Sequence, residues 1–491
     1  MSRSGRGGRG PGPWLVLLAA LAIPAILLYV LFRWSDRQQP AAAAAAPEAP
    51  PPVADPIDRL DTGLLGFRRV PTVVSRDLNV AAFQDEVGPF LGTLNDRSCA
   101  VVSVDGVEVG ARNENLAVIP ASTQKLLVGA VALEQLGEDF TYTTTVEAPT
   151  APVGGIVDGD LYLVGGGDPL LSSDWYPTSN LERYPVTSPT SLDTLADRVV
   201  AAGVTEVTGG VVGDGTRYDD EYFAPGWGVG VAGLESGPYD ALMANDSRVL
   251  GEELRANDPN VGAAREFARL LRDRGVTIAG EPGSGSAPAA SVEVASIESA
   301  PLSAVVSEML GNSDNNTAEL VVKELGLTDA TPGTREAGLD VVRRQLDSWG
   351  VDTAPLVLGD GSGLSLENRA TCAALIEVLQ RYDLDSPLGQ GLPIAGQTGT
   401  LSEVFTEHSV AGRLRGKTGT LNNPPFNVDP PAVKALAGYL PVEGGGEVEY
   451  ALILNGPTIS DQSEYRPVWD QLAAALDTYP AGPSPAELGP G

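Results

Sequence analysis

A stretch from about Val146 to Ile297, full of glycine turns and short strand-like runs, lies between two segments of helical pattern. It obliges the chain to assemble one body from two separated pieces, with a second body nested between them. Before the stretch, the runs Cys99–Val104 and Val107–Ala111 flank Asp105-Gly106, which predicts a hairpin. Ser122–Leu136 predicts a helix that is apolar on more than one face, hence buried, and that stops at Gly137. Inside the stretch, Gly159–Val164 and Thr208–Val212 predict strands and Ala263–Arg274 an arginine-bearing helix. After it, helices are expected at Leu302–Leu310, Ala318–Leu325, Ala337–Trp349 and Ala370–Tyr382. Lys434–Leu440 and Val448–Leu454 read as adjacent antiparallel strands, and Val468–Tyr479 as a closing helix. The expected class is therefore α/β (α+β): an antiparallel sheet flanked by helices, carrying a nested α/β insert.

The first residues read as a membrane address. Arg3, Arg6 and Arg9 precede an uncharged stretch from Trp14 to Phe32, with Trp14 and Trp34 at its two ends. As a helix it would rise about 28 Å, close to the hydrocarbon thickness of a bilayer. The excess of positive charge before it favours a cytoplasmic N-terminus and an exported body. Either this helix stays as an anchor, the favoured reading, or the alanine-rich run after Pro40 is cut. Residues 1–37 are thus expected as cytoplasmic tip and transmembrane helix, and 38–58 as an Ala/Pro-rich linker. Residues 481–491 are expected as a disordered Pro/Gly tail.

Composition removes several chemistries. A net charge of −32 argues against nucleic acid as a partner. The single histidine, His408, leaves no Ser-His-Asp triad or histidine metal site to build, and reads as a surface loop residue. Two cysteines, Cys99 and Cys372, are too few for a structural zinc site, so no metal and no cofactor is expected. The two cysteines either pair, as an exported chain permits, or sit apart as small buried thiols. Only four of the 32 basic residues are lysines: Lys125, Lys323, Lys417 and Lys434.

Two of those four lysines fall in motifs that carry chemistry. Ser122-Thr123-Gln124-Lys125 places a hydroxyl and an amine one helical turn apart on one face. A serine needs a neighbouring base to become a nucleophile, and a lysine serves when burial or a second cation lowers its pKa. Ser313-Asp314-Asn315 supplies a hydroxyl able to relay a proton and an amide able to hold both a lysine and a carbonyl, although it also reads as a helix cap. Lys417-Thr418-Gly419-Thr420, at a strand edge, offers a charge and a hydroxyl to a carboxylate. Its glycine lets a substrate backbone come close. A near-copy, Gln397-Thr398-Gly399-Thr400, lacks the cation and reads as a structural loop.

Together, in this order, the three motifs resemble those of penicillin-recognising serine enzymes. More specifically, the chain resembles the D-alanyl-D-alanine carboxypeptidase/endopeptidase family, the class C low-molecular-mass penicillin-binding proteins, from about Leu60 to Tyr479. The resemblance extends to Gly165-Gly166-Gly167-Asp168-Pro169, Ala224-Pro225-Gly226-Trp227, Asp360-Gly361-Ser362-Gly363-Leu364-Ser365 and Leu436-Ala437-Gly438-Tyr439. About 190 residues separate Ser122 from Ser313, a gap that this family fills with inserted domains. The resemblance implies a penicillin-binding transpeptidase/β-lactamase-like domain in two parts, residues 59–145 and 298–480, around an insert at 146–297. It implies Ser122 as the acylated nucleophile, Lys125 as its proton acceptor, Ser313 as relay and Asn315 as the orienting amide. Lys417 and Thr418 would hold the terminal carboxylate of the substrate, with Gly419 between that pair and Thr420. The backbone N–H groups of Ser122 and Thr420 would face the oxyanion.

The implied substrates are peptidoglycan stem peptides, with β-lactams as acylating inhibitors. The competing readings are a weakly active wall-binding scaffold and a β-lactamase-like hydrolase. Leu366 stands where the family has an arginine, and a Gly/Val run at Gly228–Val231 replaces an acidic residue, so a preference for a free diaminopimelate end is not implied. The Pro/Asn-rich insert Asn422–Ala432 reads either as a lid at the cleft or as a long hairpin loop.

Overall fold

A computed structural model describes residues 27–33 and 70–488, apart from 182, 183, 185, 229, 423–430 and 444. Residues 27–33 are helical. Most of the expected anchor, the linker and nearly all of the Asn422–Ala432 insert lie outside the described residues. Among the described residues no helix is long and apolar enough to cross a membrane.

The elements that position the site are, in chain order, α1 (Val70–Gly92), β1 (Cys99–Val104), β2 (Val107–Arg112), α2 (Gln124–Leu136), β3 (Thr143–Ala148), β4 (Leu161–Val164), β5 (Val211–Asp214), α3 (Leu192–Ala201, before β5 in the chain), α4 (Pro259–Asp273), β6 (Gly283–Ser284) and β7 (Val292–Glu298). They continue with α5 (Leu302–Gly311), α6 (Asn315–Gly326), α7 (Arg335–Trp349), α8 (Cys372–Arg381), β8 (Arg415–Leu421), β9 (Ala432–Pro441), β10 (Glu447–Gly456) and α9 (Gln462–Leu476).

The host sheet runs β8-β9-β10-β1-β2, antiparallel throughout. Its strands alternate between two apolar layers, as the two-residue period of a strand requires. Cys99 and Val101 point to the layer built with α2, α5 and α6, whereas Ala100, Val102 and Val104 point to the layer built with α1 and α9. All six residues of β1 are buried, because both faces are covered. This explains why its sequence reads as a nearly unbroken apolar run.

The second sheet, β6-β5-β4-β3-β7, is mixed and has its own apolar layer with α3 and α4. Its first and last strands in the chain, β3 and β7, pair side by side from Thr143↔Glu298 to Ala148↔Val292. The host chain therefore leaves and returns at one place. The nested segment is clamped to α6 and α7 by buried charge. Lys323 Nζ donates to the carbonyls of Asp219 (2.9 Å) and Glu221 (2.7 Å), and Arg335 Nε lies 2.7 Å from a Glu221 oxygen. Glu324 accepts from Arg217 Nη2 at 2.6 Å and from the Tyr218 hydroxyl at 2.7 Å.

One helix was not anticipated and two expectations require revision. The helix α1 was not legible, because its sequence carries Gly88 and Pro89 and because Val73, Val74 and Leu78 are exposed, leaving no clean apolar stripe. Ser122 does not open an α-helix: it sits in a 3₁₀ turn, Ala121–Thr123, and the α-helix begins at Gln124. The tail is ordered as far as residue 488. Ser75 Oγ donates to the Pro483 carbonyl at 2.6 Å, the Gly482 N–H donates to Asn79, and Pro485–Leu488 forms a short helix. Polar side chains on α1 hold that segment down, which its Pro/Gly composition does not reveal.

Cys99 and Cys372 form a disulfide with a Cα–Cα distance of 5.9 Å, tying β1 to the first residue of α8. It spans 273 residues of chain, including the whole nested segment. Replacing both cysteines by alanine should lower unfolding stability by about 2–5 kcal/mol. Urea denaturation of the oxidised wild type against the double variant reads this out, with equal midpoints as the contrary result.

Candidate active site

The site is built where α2, α6, β8 and the turn at Asp360–Ser365 meet. Ala121, just before the serine, has φ 49°. This left-handed conformation is costly for a residue with a Cβ, and it turns Ser122 toward the amine at Lys125. Thr123 Oγ1 donates to the Pro120 carbonyl at 2.7 Å and closes the turn. Gln124, at the start of α2, donates to Asn368 Oδ1 at 3.2 Å and to the Asp360 carbonyl.

Lys125 is fully buried. Its Nζ lies 2.7 Å from Asn315 Oδ1, 2.6 Å from the Ser362 carbonyl and 3.0 Å from Ser122 Oγ. The first two partners are acceptors only. In a neutral amine they take both N–H groups, so the remaining lone pair is aimed at the Ser122 hydroxyl. Burial lowers the Lys125 pKa to about 8, against the opposing pull of Asp360, Glu319 and Asp314.

The Ser362 carbonyl is held in place by two carboxylates beneath the turn. Asp360 accepts from the N–H groups of Gly363 (2.8 Å) and Ser365 (2.6 Å), from Asn368 Nδ2 (2.8 Å) and from Trp227 Nε1 (2.8 Å). Glu319 accepts from Gly361 N–H at 3.1 Å and Ser362 N–H at 2.8 Å. Burial, then the charge of Asp360, raises Glu319 to about 7. Gly363, at φ 86°, packs so closely on the Ala121–Thr123 turn that a Cβ there would meet the Ala121 carbonyl oxygen at 2.0 Å.

Ser313 has φ 61° and joins α5 to α6. The next residue, Asp314, caps α6 by accepting from Thr317 N–H at 2.6 Å. The motif is thus a helix cap and part of the cleft at once. Burial, followed by the neighbouring Asp246, raises Asp314 to about 7. Asn315, whose Oδ1 faces Lys125, donates through Nδ2 to the Glu235 carbonyl at 2.8 Å, so a loop of the nested segment reaches the site.

Lys417, also fully buried, donates to Ser313 Oγ and to the Thr418 carbonyl, each at 2.8 Å. Burial, reinforced by the charge of Lys125, pushes its pKa well below the usual lysine value. Ser122, Ser313, Asn315, Thr418 and Thr420 line one cleft of about 540 Å³, with Lys125 and Lys417 beneath it. Every residue singled out by the three motifs therefore comes to one place. Gly419 also has a part within the fold. A Cβ there would meet the Pro120 carbonyl at 2.9 Å and Ala121 Cβ at 3.2 Å, so the glycine admits the Ala121–Thr123 turn against β8.

Sequence reasoning passed over Thr400. The near-copy loop is not merely structural, since Thr400 lines the cleft and Thr418 Oγ1 donates to its hydroxyl at 2.9 Å. The missing cation hid this, because the threonine matters and the glutamine does not. His408 is half-buried, 3.3 Å from an Asp470 oxygen, and does not line the cleft.

The sequence matches the D-Ala-D-Ala carboxypeptidase 3 (S13) family over residues 94–249 and 239–479. The chain belongs to that family. It is 31% identical to carboxypeptidase DacB of Mycolicibacterium smegmatis over 490 residues, covering 95% of this chain and 96% of that protein. It is 30% identical to the D-alanyl-D-alanine carboxypeptidase of Actinomadura sp. (strain R39), covering 72% and 77% of the two chains. The fold is shared with penicillin binding protein 4 of Haemophilus influenzae, with a TM-score of 0.64 and 20% identity across 80% of this chain and 98% of that one. The S13 assignment agrees with a mixed α/β body that presents a serine and two buried lysines at a sheet edge.

A lysine at about 8 is only about one-tenth neutral at pH 7. The rate of Ser122 acylation by an activated ester should climb about tenfold per pH unit below that value and level off above it. A rate that is flat from pH 6 to 9, measured by stopped flow, contradicts a lysine-gated hydroxyl.

Proposed function

We infer that this protein is a serine-type D-alanyl-D-alanine carboxypeptidase that also cleaves D-alanyl cross-links, acting on peptidoglycan stem peptides and acylated by penicillins. The observation that carries the reading is the amine of Lys125, fixed by Asn315 and the Ser362 carbonyl with its third direction on Ser122 Oγ. A buried base in contact with a serine on a turn is what acyl transfer needs. Family membership supplies the substrate class.

In the first step Ser122 Oγ bonds to the carbonyl carbon of the penultimate D-alanine while its proton passes to Lys125 Nζ. The oxygen of that carbonyl becomes an oxyanion facing the backbone N–H groups of Ser122 and Thr420, donors that need no reorganisation. Collapse breaks the C–N bond. The departing amine takes the proton that Lys125 received, relayed through the hydroxyl of Ser313, which Lys417 keeps oriented by donating to its oxygen, and Lys125 is neutral again. The product is an ester on Ser122. Water then adds to that ester as the neutral Lys125 takes its proton, and on collapse Lys125 returns that proton to Ser122 Oγ, which leaves as the free hydroxyl. Lys417 and Thr418 face the substrate's carboxylate, and Asn315 orients both substrate and Lys125.

With a penicillin, the severed amine stays tethered to the acyl group and obstructs water, so the adduct persists. A cross-linked peptide offers the same D-alanyl carbonyl with a larger amine leaving group, and the open cleft accommodates it. The arginines before Trp14, the uncharged run to Phe32 and the disulfide support an exported body with a membrane anchor at its N-terminus.

A fluorescent penicillin should label the wild type, and Ser122→Ala should abolish labelling. D-Alanine should be released from pentapeptide muropeptides by the wild type alone. Labelling that survives in Ser122→Ala, read on a gel with folding checked by circular dichroism, overturns the assignment.

A further inference from the structure

Lys434 is the one lysine that neither the nucleophile motif, the strand motif nor the clamp on the nested segment uses. It lies on β9 directly across from Thr420 in the antiparallel ladder, and it lines the same cleft as Ser122. Its Nζ donates to Thr420 Oγ1 at 2.8 Å and sits 4.4 Å from the ring centre of Tyr465 and 5.8 Å from that of Trp469. These two rings, on α9, hold the ammonium over their faces.

The contact has a directional consequence. A hydroxyl oxygen that accepts from an ammonium must send its own hydrogen elsewhere. Thr418 and Thr420, two residues apart on β8, project to the same side of the strand, and both line the cleft. Thr418 is already engaged with Thr400. With Lys434 behind it, the Thr420 hydroxyl is left as a donor, with a positive charge at its back.

We propose that Lys434 is a specificity-determining positioning residue: it turns the Thr420 hydroxyl toward the cleft as a donor and supplies the outer positive charge for the substrate carboxylate beside the scissile amide. It does not touch the reacting bond. The proposal rests on the acyl-transfer reading above and adds a second cation to the carboxylate subsite. Lys417, buried beneath the cleft and bonded to Ser313, is shared with the proton path. Lys434 lies on the neighbouring strand and bonds to Thr420, not to Ser313. Substrates that carry this carboxylate should therefore depend on Lys434, and neutral analogues should not.

The test compares benzylpenicillin with its methyl ester, following acylation of Ser122 by mass spectrometry. In Lys434→Met, which keeps a long apolar side chain against Tyr465 and Trp469, acylation by benzylpenicillin should slow about tenfold, the loss expected for one charge-assisted hydrogen bond. Acylation by the ester should change less than about twofold, and Lys434→Arg should restore the preference for the acid. Lys434→Leu, which also removes the ammonium and keeps an apolar side chain beside the two rings, should show the same selective loss and stands in if the methionine variant does not fold. Equal slowing of acid and ester, or no slowing of either, overturns the proposal. A wild type that neither compound acylates instead overturns the acyl-transfer reading itself.

Discussion

The amine of Lys125 is the contact on which the rest of this structure depends. It is out of water, and a buried amine that lacks partners costs several kcal/mol. Its partners come from three places in the chain: Ser122 on the preceding turn, Asn315 at the head of α6, and the Ser362 carbonyl in the turn at Asp360–Ser365. Each partner is in turn fixed by something further out. Glu319 and Asp360 tie down the turn through its N–H groups, Asp314 caps α6, and Glu235 of the nested segment holds the other side of the Asn315 amide. Much of the polar burial near the cleft makes sense as support for this one nitrogen.

The backbone bears a cost at the same place. Ala121 and Ser313, both non-glycine residues, adopt left-handed conformations, and each stands at or beside a residue of the cleft. Such conformations cost of order 1–3 kcal/mol and persist only where the surroundings dictate them. Around Ala121 the surroundings include two glycines. Gly363 and Gly419 both pack on the Ala121–Thr123 turn, where an added Cβ would meet the Ala121 carbonyl at 2.0 Å and the Pro120 carbonyl at 2.9 Å respectively. The turn therefore packs against both the Asp360–Ser365 loop and the edge strand β8.

The nested segment is more than an ornament on the host. Buried charge from Lys323, Arg335 and Glu324 joins it to the helices that follow Asn315, and its loop at Leu234 and Glu235 forms one wall of the cleft. Thr400, Lys434, Tyr465 and Arg466 line the cleft as well. Charges of both signs line the cleft, Glu235, Asp246, Glu308 and Glu403 together with Arg255, Lys434 and Arg466.

Much of this could be read in the chain beforehand. The hairpin of β1 and β2, the buried helix α2, the helices after residue 302 and the paired strands β9 and β10 follow local rules: turn residues, apolar periodicity and helix stops. The three chemical motifs were legible because lysine is so scarce here that two of four in the expected slots is informative. Helix α1 escaped because a proline and exposed valines blur its stripe. The ordered tail escaped because distant side chains hold it, and Thr400 because a glutamine stands where a lysine was sought. By itself, the sequence determined the inventory: a serine, two lysines, an amide and the glycines that permit close approach. Only the tertiary structure decided which lone pair faces which hydroxyl, that the two cysteines bond, and that Gly419 lets the Pro120–Ala121 backbone close onto β8. Those outcomes depend on contacts between segments hundreds of residues apart, and no local rule of spacing or propensity encodes the direction in which two such segments meet.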